Sequence, residues 1–64
     1  MAIHLKAARV NAGFTQEQAA EKLGISKGTL ANYEQYKTSP DIKLAVEIAK
    51  LYGKKVDDII FFAE

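Results

Sequence analysis

The sequence predicts an all-α fold of five short helices, and three observations carry that expectation. Apolar residues recur at helical spacing and never alternate for long, so no stretch reads as a strand. Gly13, Gly24 and Gly53, with Thr15, Ser26 and Ser39-Pro40, punctuate the chain as helix stops and starts. At 64 residues and 48% hydrophobic, the chain holds enough apolar material for one small core, and residues 1–64 are expected to form a single domain.

Residues 2–12 are the first expected helix, with Ile3, Leu5, Ala8 and Ala12 near helical spacing and Gly13 as its stop. Thr15 and Gln18 make a capping box for a second helix, which buries Ala19, Ala20 and Leu23 and ends at Gly24. Ser26 is the N-cap of a third helix, and Ile25 before it is placed to pack on Leu30. The turn between these two helices is therefore very short, with Gly24 in the left-handed position. Ser39-Pro40 opens a fourth helix that runs to about Tyr52, with proline at its first position. Its Ile42, Leu44, Ala45, Val46, Ile48, Ala49 and Leu51 mark it as central. "KVDDIIFF" reads as a short fifth helix, with Asp57 and Asp58 near its N-terminus where the helix dipole favours them. Val56 with Ile59 or Ile60 would close the core. Phe61 and Phe62 together exceed what one short helix buries, which marks an exposed interface.

Composition narrows the function classes. The absence of cysteine excludes disulfides and thiolate metal sites. The longest apolar run, Ile59 to Ala63, is far too short to span a membrane, and the start lacks a secretory signal, so a cytoplasmic protein is expected. Enzyme chemistry is not expected either. His4 is the only histidine and has no evident carboxylate partner, and there is no phosphate-binding glycine loop and no metal-ligand spacing. No cofactor, metal or small-molecule substrate is implied. The net charge of +1 says little, but Lys22, Lys27 and Lys37 stand against Glu34 alone, whereas Asp57, Asp58 and Glu64 make the far end acidic.

Residues 16–35, "QEQAAEKLGISKGTLANYEQ", combine a small residue at Ala20, a turn at Gly24 and inward apolars at Leu23, Ile25, Leu30 and Tyr33. That register fits a helix-turn-helix, which presents its second helix outward. With it, the chain resembles the Cro/C1-type helix-turn-helix family, the small lambda-repressor-like DNA-binding domains of phage repressors and related regulators. "LKAARVNAGFTQEQAAEKLGISKGTLANYE" matches the family's run of Arg, Gly, apolar, Thr-Gln, Ala, Leu-Gly, apolar-Ser and Glu, and "SPDIKLAVEIAKLYGKKVDDII" resembles its last two helices. The extent of the chain suits a complete small protein of this kind.

The resemblance implies sequence-specific binding of double-stranded DNA by a transcriptional regulator, a repressor of prophage or mobile-element type, in the nucleoid of a bacterial or phage-infected cell. The recognition helix would cover about residues 26–36. Base edges would be read from Lys27, Gly28, Ala31 and Asn32, lysine suiting guanine and asparagine adenine. Gly28 stands where many members of the family carry a long polar side chain; either it and Ala31 let the helix approach closely, with Ala31 touching a thymine methyl, or it is merely tolerated and weakens the helix. Gln16, Ser26, Thr29, Tyr33, Gln35, Lys37 and Thr38 are candidates for contact with the DNA backbone, which sets register rather than sequence preference. Gln16 has a second reading as an ordinary polar helix start. Arg9 and Glu34 match a family ion pair, against the alternative of two independent surface charges.

Two positions depart from the family: Tyr36 replaces the glycine that commonly ends the third helix, and Lys55 the Ser or Thr that caps the fifth. A homodimer on a palindromic operator is expected, joined through Ile60, Phe61 and Phe62. A rival reading keeps the helix-turn-helix shape as a protein-interaction module, an antitoxin or antirepressor partner with little DNA affinity; the low net charge favours it.

Overall fold

The computed structural model describes residues 2–62. Met1, Ala63 and Glu64, and with them Glu64's share of the acidic C-terminus, lie outside the described residues. The order of elements is β1 (Ile3–His4), α1 (Leu5–Asn11), α2 (Gln16–Leu23), α3 (Lys27–Glu34), α4 (Ile42–Leu51), a 3₁₀ turn (Val56–Asp58) and β2 (Ile59–Ile60). Leu5, Leu30 and Ile48 are fully buried, one from each of α1, α3 and α4. Ala8, Ala19, Ala20, Ala45 and Ala49 surround them, and side chains this small let short helices cross closely. No helix among the described residues is long and apolar enough to cross a membrane.

Local chemistry sets the helix ends. Thr15 Oγ1 accepts from Gln18 N at 3.1 Å while Gln18 Oε1 accepts from Thr15 N at 2.9 Å, a complete capping box. Gly24 closes α2 at φ 71°, and Ile25 N reaches back to Ala20 O at 3.0 Å. Ser26 Oγ then caps α3 by accepting from Thr29 N at 3.0 Å.

Three expectations are corrected. The fifth helix does not form: four α-helices are followed by a 3₁₀ turn and a strand that pairs in parallel with β1, Ile3 opposite Ile59 and His4 opposite Ile60. The β-branched Ile59 and Ile60 suit extended backbone, and Lys55 supplies no side-chain cap. The first helix correspondingly begins at Leu5, because Ile3 and His4 are the other half of that pair. The fourth helix begins at Ile42, not Pro40: Asp41 is the better cap, its carboxylate accepting from Leu44 N at 2.8 Å. Pro40 is buried just outside, and Ile42, at the exposed first position, is 78% accessible rather than part of a central face.

The aromatic pair is also corrected. Extended backbone sends successive side chains to opposite faces. Ile59 and Phe61 accordingly turn inward, each 5% exposed, while Ile60 is half-buried and Phe62 is 65% exposed. Phe61 is a core residue, not part of an exposed patch.

Tyr36 holds the strand pair to the end of α3. Its backbone is left-handed (φ 60°), a conformation that costs a bulky residue on the order of 1–2 kcal/mol. Its hydroxyl donates to Ile60 O at 2.9 Å and accepts from Leu5 N at 3.3 Å. With its one proton committed to Ile60, the contact with His4 Nδ1 at 3.0 Å makes Nδ1 the donor. One phenol thus joins β1, β2 and the start of α1 to the loop after the third helix. Tyr36→Phe keeps the strained backbone and removes all three bonds, so a loss of about 1–3 kcal/mol is expected in urea denaturation. A midpoint unchanged from the native chain would contradict this role.

Candidate nucleic-acid interface

α3 shows two sides. Leu30 points into the core, with Tyr33 half-buried beside it, while Ser26, Lys27, Gly28, Asn32 and Gln35 are exposed and Thr29 and Ala31 partly so. Lys37 and Thr38 follow on the exposed loop. Each candidate contact residue on α3 or after it therefore has solvent access, Thr29, Ala31 and Tyr33 less of it than the others. Ser26 and Thr29 are the most engaged of them, their hydroxyls 2.8 Å apart within the cap.

The far end of α3 is braced from beneath. The Arg9 guanidinium forks onto Glu34, Nε donating to Oε2 at 2.7 Å and Nη2 to Oε1 at 3.2 Å. Nη1 donates to Phe14 O at 3.0 Å, which ties the turn between α1 and α2 into the same joint. Gln16 Nε2 adds a bond to Glu34 Oε1 at 3.0 Å. The Arg9 and Glu34 side chains are 9% and 4% exposed, so they are a buried, bidentate pair and not two independent surface charges. Such pairs position helices more than they add net stability. Gln16 consequently does more than open a helix: one of its amide protons is held by Glu34, and the side chain sits at the edge of α3.

Tyr52 lies close to the joint, its ring 6.2 Å from that of Phe14. Its hydroxyl is buried without a hydrogen-bond partner among the described residues. Burial, helped by the Glu34 carboxylate and opposed by Arg9, pushes this phenol up to about 12, so it stays neutral.

Two features of the surface are not evident in the linear order. Lys6 lines a depression with Arg9, Gln16, Ala31, Glu34 and Gln35, adding a cation beside the α3 face. Its spacing of three from Arg9 is the signal, since residues three apart share a helix face. Glu17 and Glu21 of α2 line another depression together with Gln16 and Lys27, so the exposed lysine has acidic neighbours. Neither forms an ion pair with it, the Arg9–Glu34 pair being the one present among the described residues.

Two helices joined by a glycine turn, the second braced below and bare outside, define a helix-turn-helix protein. Residues 5–59 match the helix-turn-helix family, and the chain belongs to it, in its Cro/C1-type branch. It is similar to an uncharacterized HTH-type transcriptional regulator of Methanocaldococcus jannaschii, 42% identical over 94% of this chain and 91% of that one. An uncharacterized HTH-type transcriptional regulator of Archaeoglobus fulgidus is 34% identical over all of this chain and 90% of its own. The HTH-type transcriptional regulator ImmR of Bacillus subtilis is 41% identical over 88% of this chain, which spans 44% of ImmR. No solved structure matches the chain significantly.

Proposed function

We propose that this chain binds double-stranded DNA sequence-specifically as a transcriptional regulator, with α3 in the major groove. The observation that carries the reading is the two-sidedness of α3: Leu30 is completely buried and the Arg9–Glu34–Gln16 joint holds its end, while Lys27 and Asn32 are exposed. Lys27 would donate to guanine and Asn32 pair with adenine. Lys6, Gln16, Ser26, Thr29, Tyr33, Gln35, Lys37 and Thr38 would border the phosphates. The regulators named above, similar over most of this chain, support the same reading.

The proposal includes a second copy of this chain on a palindromic operator. Its support is Phe62, 65% exposed just after the strand β2, whose half-buried Ile60 pairs with β1. Phe61, being buried, takes no part. Sedimentation in the presence of the selected duplex tests this, with two chains per duplex expected.

Selection from a random duplex library tests the central reading. Half-sites about one helical turn apart are expected, with affinity falling steeply as salt rises. Asn32→Ala should cost about 1–3 kcal/mol and relax preference at one adenine, leaving the fold intact. A second reading, a protein-interaction module, is favoured by the acids Glu17 and Glu21 beside Lys27. It predicts no enriched duplex, and only weak association with DNA that does not distinguish one sequence from another.

A further inference from the structure

Gly28 has no reason within the chain to be glycine. Gly13, Gly24 and Gly53 stand at φ 87°, 71° and 69°, where a side chain would be strained, but Gly28 is helical. An added Cβ there would meet nothing closer than Ser26 Oγ at 4.0 Å, so packing does not require its absence either. Glycine is the poorest helix former after proline, and Gly28 stands within an eight-residue helix. Any requirement for a missing side chain must therefore come from something that approaches from outside.

The neighbours say what that would be. Ala31, three residues on, shares the face of Gly28, and together they present only a bare Cα and a methyl group. Asn32, four residues after Gly28 and exposed, brings a polar side chain to the same face, and the exposed Lys27 precedes Gly28 in the chain. Among the groups that base pairs display in the major groove, the one protruding apolar group is the 5-methyl of thymine. We propose that Gly28 and Ala31 form an apolar recess that admits the 5-methyl group of one thymine per half-site, Gly28 setting specificity through the side chain it lacks. This rests on the major-groove reading above.

The test begins from the duplex that the library selects for the native chain. Each thymine is replaced in turn by uracil, which removes the methyl and leaves the hydrogen-bonding edge unchanged. One position per half-site should weaken native binding roughly fourfold, the weight of one methyl group taken out of water. Gly28→Ala fills the recess. It should raise the melting temperature of the free protein, weaken binding to the thymine duplex several-fold, and recover binding when that one thymine becomes uracil. The raised melting temperature separates lost recognition from a damaged fold. If Gly28→Ala binds the selected duplex as the native chain does, or responds to uracil at every position as the native chain does, the recess is overturned and the regulator reading stands. If no duplex is selected, the regulator reading fails, and the recess with it.

Discussion

Glu34→Ala is expected to remove about 3–5 kcal/mol of stability, the usual consequence of stranding one member of a buried ion pair. Arg9 would keep its bond to Phe14 O but lose the two to the carboxylate, with its side chain 9% exposed and little water to replace them. Gln16 would lose its partner as well. A chain of this length has roughly 3–10 kcal/mol in total, so most of the margin would go. Removing both charges should do less harm: Arg9→Met with Glu34→Leu leaves no orphaned ion and is expected to regain a large part of the loss. Urea midpoints of the native chain and the two variants measure this directly. A double variant less stable than Glu34→Ala would mean that the pair contributes net stability, not position.

Phe61→Ala is expected to cost a similar amount, about 3–5 kcal/mol, as a large core ring is exchanged for a methyl group. Its neighbour is the control. Phe62→Ala, at a residue 65% exposed, should stay within about 0.5 kcal/mol of the native stability. Two adjacent phenylalanines with opposite outcomes would follow directly from the alternation of extended backbone. Equal effects on folding would imply the helix that the sequence suggests.

These two cases mark where sequence reasoning holds and where it stops. Thr15, Gln18, Gly24 and Ser26 are legible because caps and turns are chemistry between residues no more than a few positions apart. The outward face of α3 is legible in part for the same reason: once Leu30 is assigned inward, helical geometry places Asn32 on the far side, whereas Lys27, three residues before Leu30, is exposed at the first turn of the helix. The pairing of Arg9 with Glu34 is legible through family resemblance, since nothing local connects residues so far apart. Tyr36 shows the limit. Its departure from the family's glycine is visible, but its partners His4, Leu5 and Ile60 come from both ends of the chain.

From the linear order come the helix-turn-helix, its caps, and the residues that face outward from α3, because each depends on spacing within a turn or two of helix. Long-range contact settles the rest. Two residues of β1 carry no recognisable period, and they become a strand because Ile59–Ile60 arrives beside them and satisfies their backbone. That meeting keeps the last segment from being a helix, turns Phe61 inward and Phe62 outward, and gives Tyr36 the carbonyl that holds its hydroxyl.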